Sequence, residues 1–567
     1  MEKLEVLNPV ADVVKTEATP APRPASLEGK TLGLFWNCKP GGNHALRKAA
    51  ELLQGKYPTL QVREYLGSVG STTRYITPGD VALISAECDV VIGSTADCGS
   101  CTSWLVNDMI ELEKVGIPTV SLTAEHFERD AKITAELRGL PSAPLAIVSN
   151  TFTSKTHAEI AAMIESVIGD IEVSLTTSPA ATAPAADSGP VPVGSDVIEG
   201  NTFVECLDSF NRSFIEREWS DGLPLVPPTP ENVRAMLARA PMASSTVIAE
   251  SLYPGQGIAT LEKIAINGVM AGCRPEHLPV LVALVKAYVG LGAMGKTQAM
   301  STGPNAPLVM IAGPVIERLG FNNTTCAIGP GSPSYVNVVI GRALRLILMN
   351  IGGNYPGRMD MDTIGTANKF SFCIAENAEK SPFEPWNVAK GFGKDTSTLS
   401  IALVYPGPDV QDFASTTPED MLDTVATFTA HYRGTTAIGR WLYGGRGEPS
   451  TGASIPERNV LLLAPDHARI FREHNWTRAD IGAYLYKTSR MSFARLWSQQ
   501  MTPEDKREAL VKAFPQFRWL ADQPDVMVPT AEGPEFYETF VVGGDVGRSQ
   551  YYIGGSEIST VAIEEWA

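Results

Sequence analysis

Between residues 30 and 169, short apolar runs alternate with segments of helical period, and this alternation restricts the fold more than any other feature of the chain. Runs at 30–36, 61–66, 88–93, 117–122 and 145–149 read as strands. Segments at 42–54, 78–86, 101–115, 124–138 and 155–169 read as helices, with Thr77 as an N-cap. Five strands each followed by a helix predict an α/β fold, a flavodoxin-like doubly wound parallel sheet, because parallel strands need crossovers and these are right-handed. The common strand order for this count is 2-1-3-4-5. Strands one and three are then neighbours, and the loops after both open into one crevice at the carboxyl edge of the sheet, where such folds bind ligands.

The chain has 567 residues, enough for more than one core. Residues 1–29 contain Thr19-Pro20-Ala21-Pro22-Arg23-Pro24-Ala25-Ser26 and are predicted to be a flexible leader. Residues 30–173 form the α/β domain, 174–196 a Pro/Ala-rich linker, and 197–567 a larger mixed α/β or α+β domain. In this last region 275–289 and 335–349 read as amphipathic helices, and 369–375, 399–404, 459–463 and 540–542 as strands. Their pattern specifies no topology.

A formal net charge of −17, with no Lys/Arg run, argues against nucleic acid and anionic membrane as partners. No basic and apolar leader and no run of about 18 apolar residues is visible, so a soluble cytoplasmic protein is expected. Eight cysteines are too sparse for a disulfide scaffold, and a reducing compartment suits cysteines that cycle.

The loop after the third strand carries Cys98 and Cys101, a CxxC pair at the start of a helix. A helix N-terminus offers unpaired N–H groups and a partial positive charge, which favour a thiolate. Cys98 could then attack and Cys101 resolve. CxxC also serves structural zinc, but no second CxxC or His pair stands at ligand spacing, so no metal site is assigned, and a purely structural pair is the third option. Asp97 either accepts a thiol proton or fixes the turn. Ser94, Thr95, Ser100 and Thr102 either surround the sulfurs with hydroxyls or are the small residues that a tight turn accepts.

The loop after the first strand supplies candidate substrate ligands. Asn37 lies in it, Lys39 adds a positive charge, and Gly41 and Gly42 free backbone N–H groups for a carboxylate or phosphate. Cys38 is either a further redox thiol or a small buried hydrophobe. His44 is either an acid/base or a solvated group, and His126, after the fourth strand, is a weaker candidate.

In the second domain, Gly329 and Gly331 lie in a Gly-rich loop before a helix carrying Arg342 and Arg345, a possible anion site whose ordinary reading is a turn beside surface arginines. The segments 220–228, 301–305 and 350–358 also look defined by backbone shape. Adjacent Glu262 and Lys263 do not face each other on a helix. Asp360 and Asp362 share a strand face, but two carboxylates alone do not make a cation site. Cys273, Cys326 and Cys373 show no ligand spacing.

The stretch Val90-Val91-Ile92-Gly93 through Asp97-Cys98-Gly99-Ser100-Cys101 and Thr102-Ser103-Trp104 resembles the family named for its UGSC motif, over roughly residues 30–170. In some members selenocysteine stands where this chain has Cys98. The phrases Asp221-Gly222-Leu223-Pro224, Met270-Ala271-Gly272-Cys273-Arg274-Pro275-Glu276 and Asn350-Ile351-Gly352-Gly353 resemble the companion region that accompanies such domains. The resemblance implies a chalcogen that acts as a nucleophile or redox centre at Cys98, with Cys101 resolving. The motif is also distantly similar to that of the selenoprotein subunits of glycine and proline reductases, which cleave C–N bonds reductively. A thiolate is a weaker nucleophile and reductant than the selenolate there.

The first expectation is a thiol-dependent oxidoreductase acting on a small organic acid or amine derivative, served by an external dithiol such as a thioredoxin-like partner. The second is a non-redox lyase, hydrolase or racemase-like enzyme, with Cys38 facing Cys98 in the racemase case. A third is a module holding a soft metal or persulfide. Flavin binding is a fourth, though residues 37–44 lack a Ser/Thr-rich phosphate cradle. A homo-oligomer is compatible with all four.

Overall fold

The computed structural model describes residues 1–14, 17–37, 39, 41–66, 76–153, 155–179, 194–429, 458–492, 523, 525–531 and 533–564. Its first unit follows the order β1 (Glu2–Leu7), β2 (Thr31–Trp36), α1 (Gly42–Lys56), β3 (Gln61–Leu66), α2 (Pro78–Glu87), β4 (Val90–Ala96), α3 (Gly99–Lys114), β5 (Thr119–Ala124), α4 (Glu128–Leu137), β6 (Leu145–Val148) and α5 (His157–Thr176). The five strands from β2 to β6 form one parallel sheet in the order β3-β2-β4-β5-β6, the 2-1-3-4-5 arrangement expected from the alternation. Every residue of β4 and β5 is buried, as central parallel strands covered on both faces require. Thr77 caps α2 in a capping box with Asp80, and Thr156 does the same for α5 with Glu159.

The second unit is built on an eight-stranded mixed sheet, with strands in the order Cys373–Ala375, Ala306–Ala312, Thr398–Tyr405, Arg548–Gly554, Asn459–Leu463 and Tyr537–Val541. Asp409–Gln411 and Ser559–Ala562 pair off this path. The largest core joins this sheet to helices Leu261–Ala271, Leu278–Gly290 and Tyr335–Asn350. The helix expected at 275–289 is a 3-10 turn, Pro275–His277, followed by Leu278–Gly290. It is apolar around most of its circumference, not amphipathic, because it is enclosed on nearly all sides. The strand expected at 369–375 is confined to Cys373–Ala375, after a 3-10 turn at Ala367–Lys369.

The expectation of a free leader is corrected by the structure. β1 pairs antiparallel with β7 (Ser195–Gly200), and its alternate residues Leu4 and Val6 enter the core of the second unit. The chain then crosses to the first unit, where Arg23 makes two 2.7 Å bonds to the carboxylate of Glu113, with both side chains buried. Residues 2–14 and 17–23 therefore strap both units. Of the linker, residues 180–193 lie outside the described residues, while its ends continue α5 and begin β7. Among the described residues no helix is long and apolar enough to cross a membrane.

Removing one partner of a buried pair leaves the other charge without compensation. Arg23→Ala is expected to destabilise the protein by about 3–5 kcal/mol, read as a lower denaturant midpoint. An unchanged midpoint would show that the strap is not fastened at this point.

Candidate active site

β4 ends at Ala96 and α3 begins at Gly99, so the motif occupies the strand-to-helix turn. Cys98 is the N-cap of α3, with extended backbone, and its sulfur accepts the Cys101 N–H at 3.3 Å. A thiolate there receives what an Asp or Ser cap would receive, a backbone donor at the positive end of a helix. The Cys101 side chain is also the group that most favours the charged form of this sulfur. Ser100 Oγ lies 3.8 Å from it. Both cysteines are reduced; Cys101 is buried and Cys98 is partly open.

Lys39 reaches in from the loop after β2. Its ammonium lies 2.6 Å from Asp97 Oδ1 and donates to the Asp97 carbonyl at 3.2 Å. The Cys101 side chain is the main cause of the lowered Cys98 pKa. Burial opposes it and the Lys39 charge assists it, with the net value near 6. The same pairing and burial push the Cys101 thiol well up. Burial works against the Lys39 ammonium, but the two sulfurs and Asp97 outweigh it and raise its pKa. The site thus holds one thiolate, one protonated thiol and one fixed cation.

Asp97 takes neither expected role. Its carboxylate accepts from Thr95 Oγ1 at 3.0 Å and Thr153 Oγ1 at 3.4 Å as well as from Lys39, so it anchors the lysine and not a thiol proton. Asn37 is a scaffold residue. Its side chain donates to the Thr95 carbonyl at 2.8 Å and accepts from the Thr95 N–H at 3.0 Å, tying the two loops together. Ser94 Oγ and Thr102 Oγ1 are buried without a hydrogen-bond partner, two hydroxyls beside the motif that the protein leaves unused.

Gly41 and Gly42 are explained by packing. A Cβ on Gly42 would stand 2.6 Å from Thr95 Cγ2, and one on Gly41, at φ +84°, 2.8 Å from Phe152 Cβ. The protein itself fills the space expected for a ligand. His44 lies ring to ring on His157, with centroids 3.7 Å apart. His126 sits in the 3-10 turn Glu125–Phe127 after β5, exposed. Cys38 lies outside the described residues.

The second-domain candidates are likewise spent internally. Arg342 grips Asp221 through two bonds of 2.7 and 2.9 Å and also donates to the Leu223 and Pro224 carbonyls, which holds the 220–228 loop. Gly329 and Gly331 adopt positive φ before helix Tyr335–Asn350, and a Cβ on Gly329 would stand 2.9 Å from Val338. Arg345 pairs with Asp360 at 3.0 Å, and Lys369 pairs with Asp360 and Asp362 at 2.7 Å each. Asp360 and Asp362 are therefore neutralised by the protein's own cations. Among the described residues no group of three or more His, Cys, Asp or Glu is arranged to hold a metal ion.

Sequence reasoning missed what covers the motif. A Cβ on Gly99 would stand 2.0 Å from the Met300 carbonyl oxygen and 2.8 Å from Met361 Cβ and Cγ, so the second unit lies directly on the first residue of α3. Met361 stands between the two aspartates that had been singled out, a signal visible in the sequence but read for the wrong chemistry.

Alkylation of Cys98 by iodoacetamide should follow a titration centred near 6. Lys39→Met should move that midpoint upward by about one to three pH units, because removing a neighbouring cation disfavours the thiolate. Mass-resolved alkylation rates across pH check this, and an unmoved midpoint would remove Lys39 from the electrostatics of the site. Gly99→Ala should force the second unit off the motif, seen as faster hydrogen exchange at 299–302 and 359–363. Unchanged exchange there would show that the contact is not tight.

Residues 5–177 match the model described as the UGSC family. No curated protein and no solved structure matches the chain. The matched span contains the whole five-stranded sheet and the Cys98–Cys101 turn, while the described residues from 195 onward form the unit that covers the motif. Over residues 5–177, with cysteine at the first position of the motif, the chain is similar to the UGSC family.

Proposed function

We propose that the protein is a thiol-dependent oxidoreductase in which Cys98 is the attacking sulfur and Cys101 the resolving one. The observation that carries this reading is the asymmetry of the pair. Cys98, at the helix cap, accepts the Cys101 N–H, and the Cys101 side chain and the Lys39 charge lower its pKa, whereas Cys101 is buried and its pKa is raised.

In the proposed cycle the Cys98 thiolate attacks an electrophilic atom of a small organic acid or amine derivative, R–X. The S–R bond forms as R–X breaks, and X leaves with its electron pair and takes a proton. Cys101 then loses its proton and attacks the Cys98 sulfur. The S–S bond forms, the S–R bond breaks with its electron pair on R, and R takes the proton as R–H. The substrate gains two electrons and the two cysteines lose them. A cellular dithiol of the thioredoxin-like class reduces the disulfide by thiol exchange and is itself oxidised. Lys39 balances the thiolate before attack. The partly open Cys98 and the enclosed Cys101 suit a substrate that meets only the first sulfur.

Glutathione disulfide tests the assignment without knowledge of the substrate. The wild type should pass through a short-lived glutathione adduct and end two hydrogens lighter, with an internal disulfide. Cys101→Ser should stop as a stable adduct on Cys98, and Cys98→Ser should form none at 101. If wild type and Cys101→Ser end in the same adduct, the resolving role fails, and non-redox lyase, hydrolase or racemase-like chemistry becomes the better account of Cys98.

A further inference from the structure

A second cavity lies between the two units, on the same side of α3 as the motif glycine. It is a partly open cleft of about 300 Å³, open solvent included, lined by Ser103 of α3, Thr134 of α4 and the adjoining Arg138, and from the second unit by Gln256, Lys296 and Met300. Ser103 follows Gly99 by four residues, so the cavity wall and the motif occupy one face of the helix, about 6 Å apart along its axis. Met300 belongs to both places: its carbonyl rests on Gly99, and the residue also lines the cavity.

Two features of this cavity lack a complement within the protein. Lys296, on helix Gly292–Ala299, is partly buried and has no hydrogen bond or ion pair to a described residue. The one charge that acts on it is the like charge of Arg138 across the cavity, and burial together with that charge lowers its pKa. Thr134 is 3% exposed, and its Oγ1 has no hydrogen-bond partner. Burying an ammonium beside a guanidinium and leaving a hydroxyl unbonded are both unfavourable in an empty site. An oxyanion corrects both, by accepting from Lys296 Nζ and Thr134 Oγ1. The setting is also unusual for a chain of net charge −17, in which the other buried lysine near the motif, Lys39, has its own aspartate.

We propose that this interdomain cavity is a binding site for a small oxyanion, a carboxylate or a phosphate, held by Lys296 and Thr134 beside Arg138. The proposal is independent of the redox reading of Cys98. The anion touches both units at once, Thr134 from the first and Lys296 from the second, so it binds only when they are closed on each other. Its occupancy therefore stabilises the closed arrangement over Gly99 by mass action.

The test is calorimetric titration of the full-length protein with malonate and, separately, with inorganic phosphate at low ionic strength. Saturable binding of either supports the site, and the stronger of the two identifies the source of the oxyanion. Lys296→Met should weaken that binding by about tenfold or more, the size of one charge-assisted hydrogen bond. Lys296→Arg should retain it, and Thr134→Val, which keeps the shape of the side chain, should weaken it several-fold. Binding raises the Lys296 pKa, so titrations repeated at increasing pH should show proton uptake that grows with pH and that Lys296→Met abolishes. No saturable binding of either anion to the wild type, or equal binding by wild type and Lys296→Met, would overturn the proposal. Thr134→Val also answers for the case in which Lys296→Met fails to fold, since unchanged affinity in that variant would remove Thr134 from the site.

Discussion

The structure depends on the place where the Met300 carbonyl rests on Gly99, because that contact lies on the helix turn that Cys98 caps. A helix N-terminus open to water would solvate a thiolate well and lower its pKa only slightly. Here the first turn of α3 is covered by the second unit, and the cover is possible only because position 99 lacks a side chain. The cost of covering a charged sulfur is met by three directed groups: the Cys101 N–H, the Cys101 thiol and the Lys39 ammonium. Each is held in turn by something rigid. Cys101 sits in the first turn of α3, and Lys39 is fixed by Asp97, which is itself held by Thr95 and Thr153. Asn37 joins the two loops by bonding the Thr95 peptide from both sides. The precision of the site thus comes from the ends of β2 and β4, with α5 adding little beyond Thr153 just before it.

The first unit was largely legible in the sequence, and for a physical reason. Central parallel strands are buried on both faces and read as short apolar runs, and the crossovers between them must be helical, so the alternation fixes the order of elements. The placing of Cys98 and Cys101 on a strand-to-helix turn followed from the same pattern. What the pattern does not carry is which charged residues meet. Arg342 was read as a candidate anion ligand, but its partner Asp221 is 121 positions away, and no local signal connects them. Gly41 and Gly42 were read as a cradle because glycine before a helix suits both an anion and a close helix–strand contact, and only the neighbouring Thr95 and Phe152 side chains distinguish the two.

The second unit was illegible in its topology because its sheet is woven out of sequence order. Strand Arg548–Gly554 enters between Thr398–Tyr405 and Asn459–Leu463, and the three inner pairs along the path are antiparallel while the two outer ones are parallel. Its central helices are enclosed so fully that their apolar residues no longer mark one face. Lys296 was missed for a related reason. A lysine in a short helix of mixed composition looks like a solvated surface group until the first unit is brought against it.

The strap formed by residues 2–14 and 17–23 gives the family match an unexpected meaning. The matched segment begins at residue 5, inside β1, yet the strand that pairs with β1 begins at Ser195, beyond the segment's end. What the sequence comparison recognises as one module is therefore not closed as a folding object. Cut out alone, it would carry the unpaired end of a strand with Val6 facing water, an edge of the kind that recruits other chains. The inheritable unit and the self-sufficient unit differ by the length of one hairpin partner, and in this molecule the motif domain and its cover are bound into a single object from the first residues of the chain.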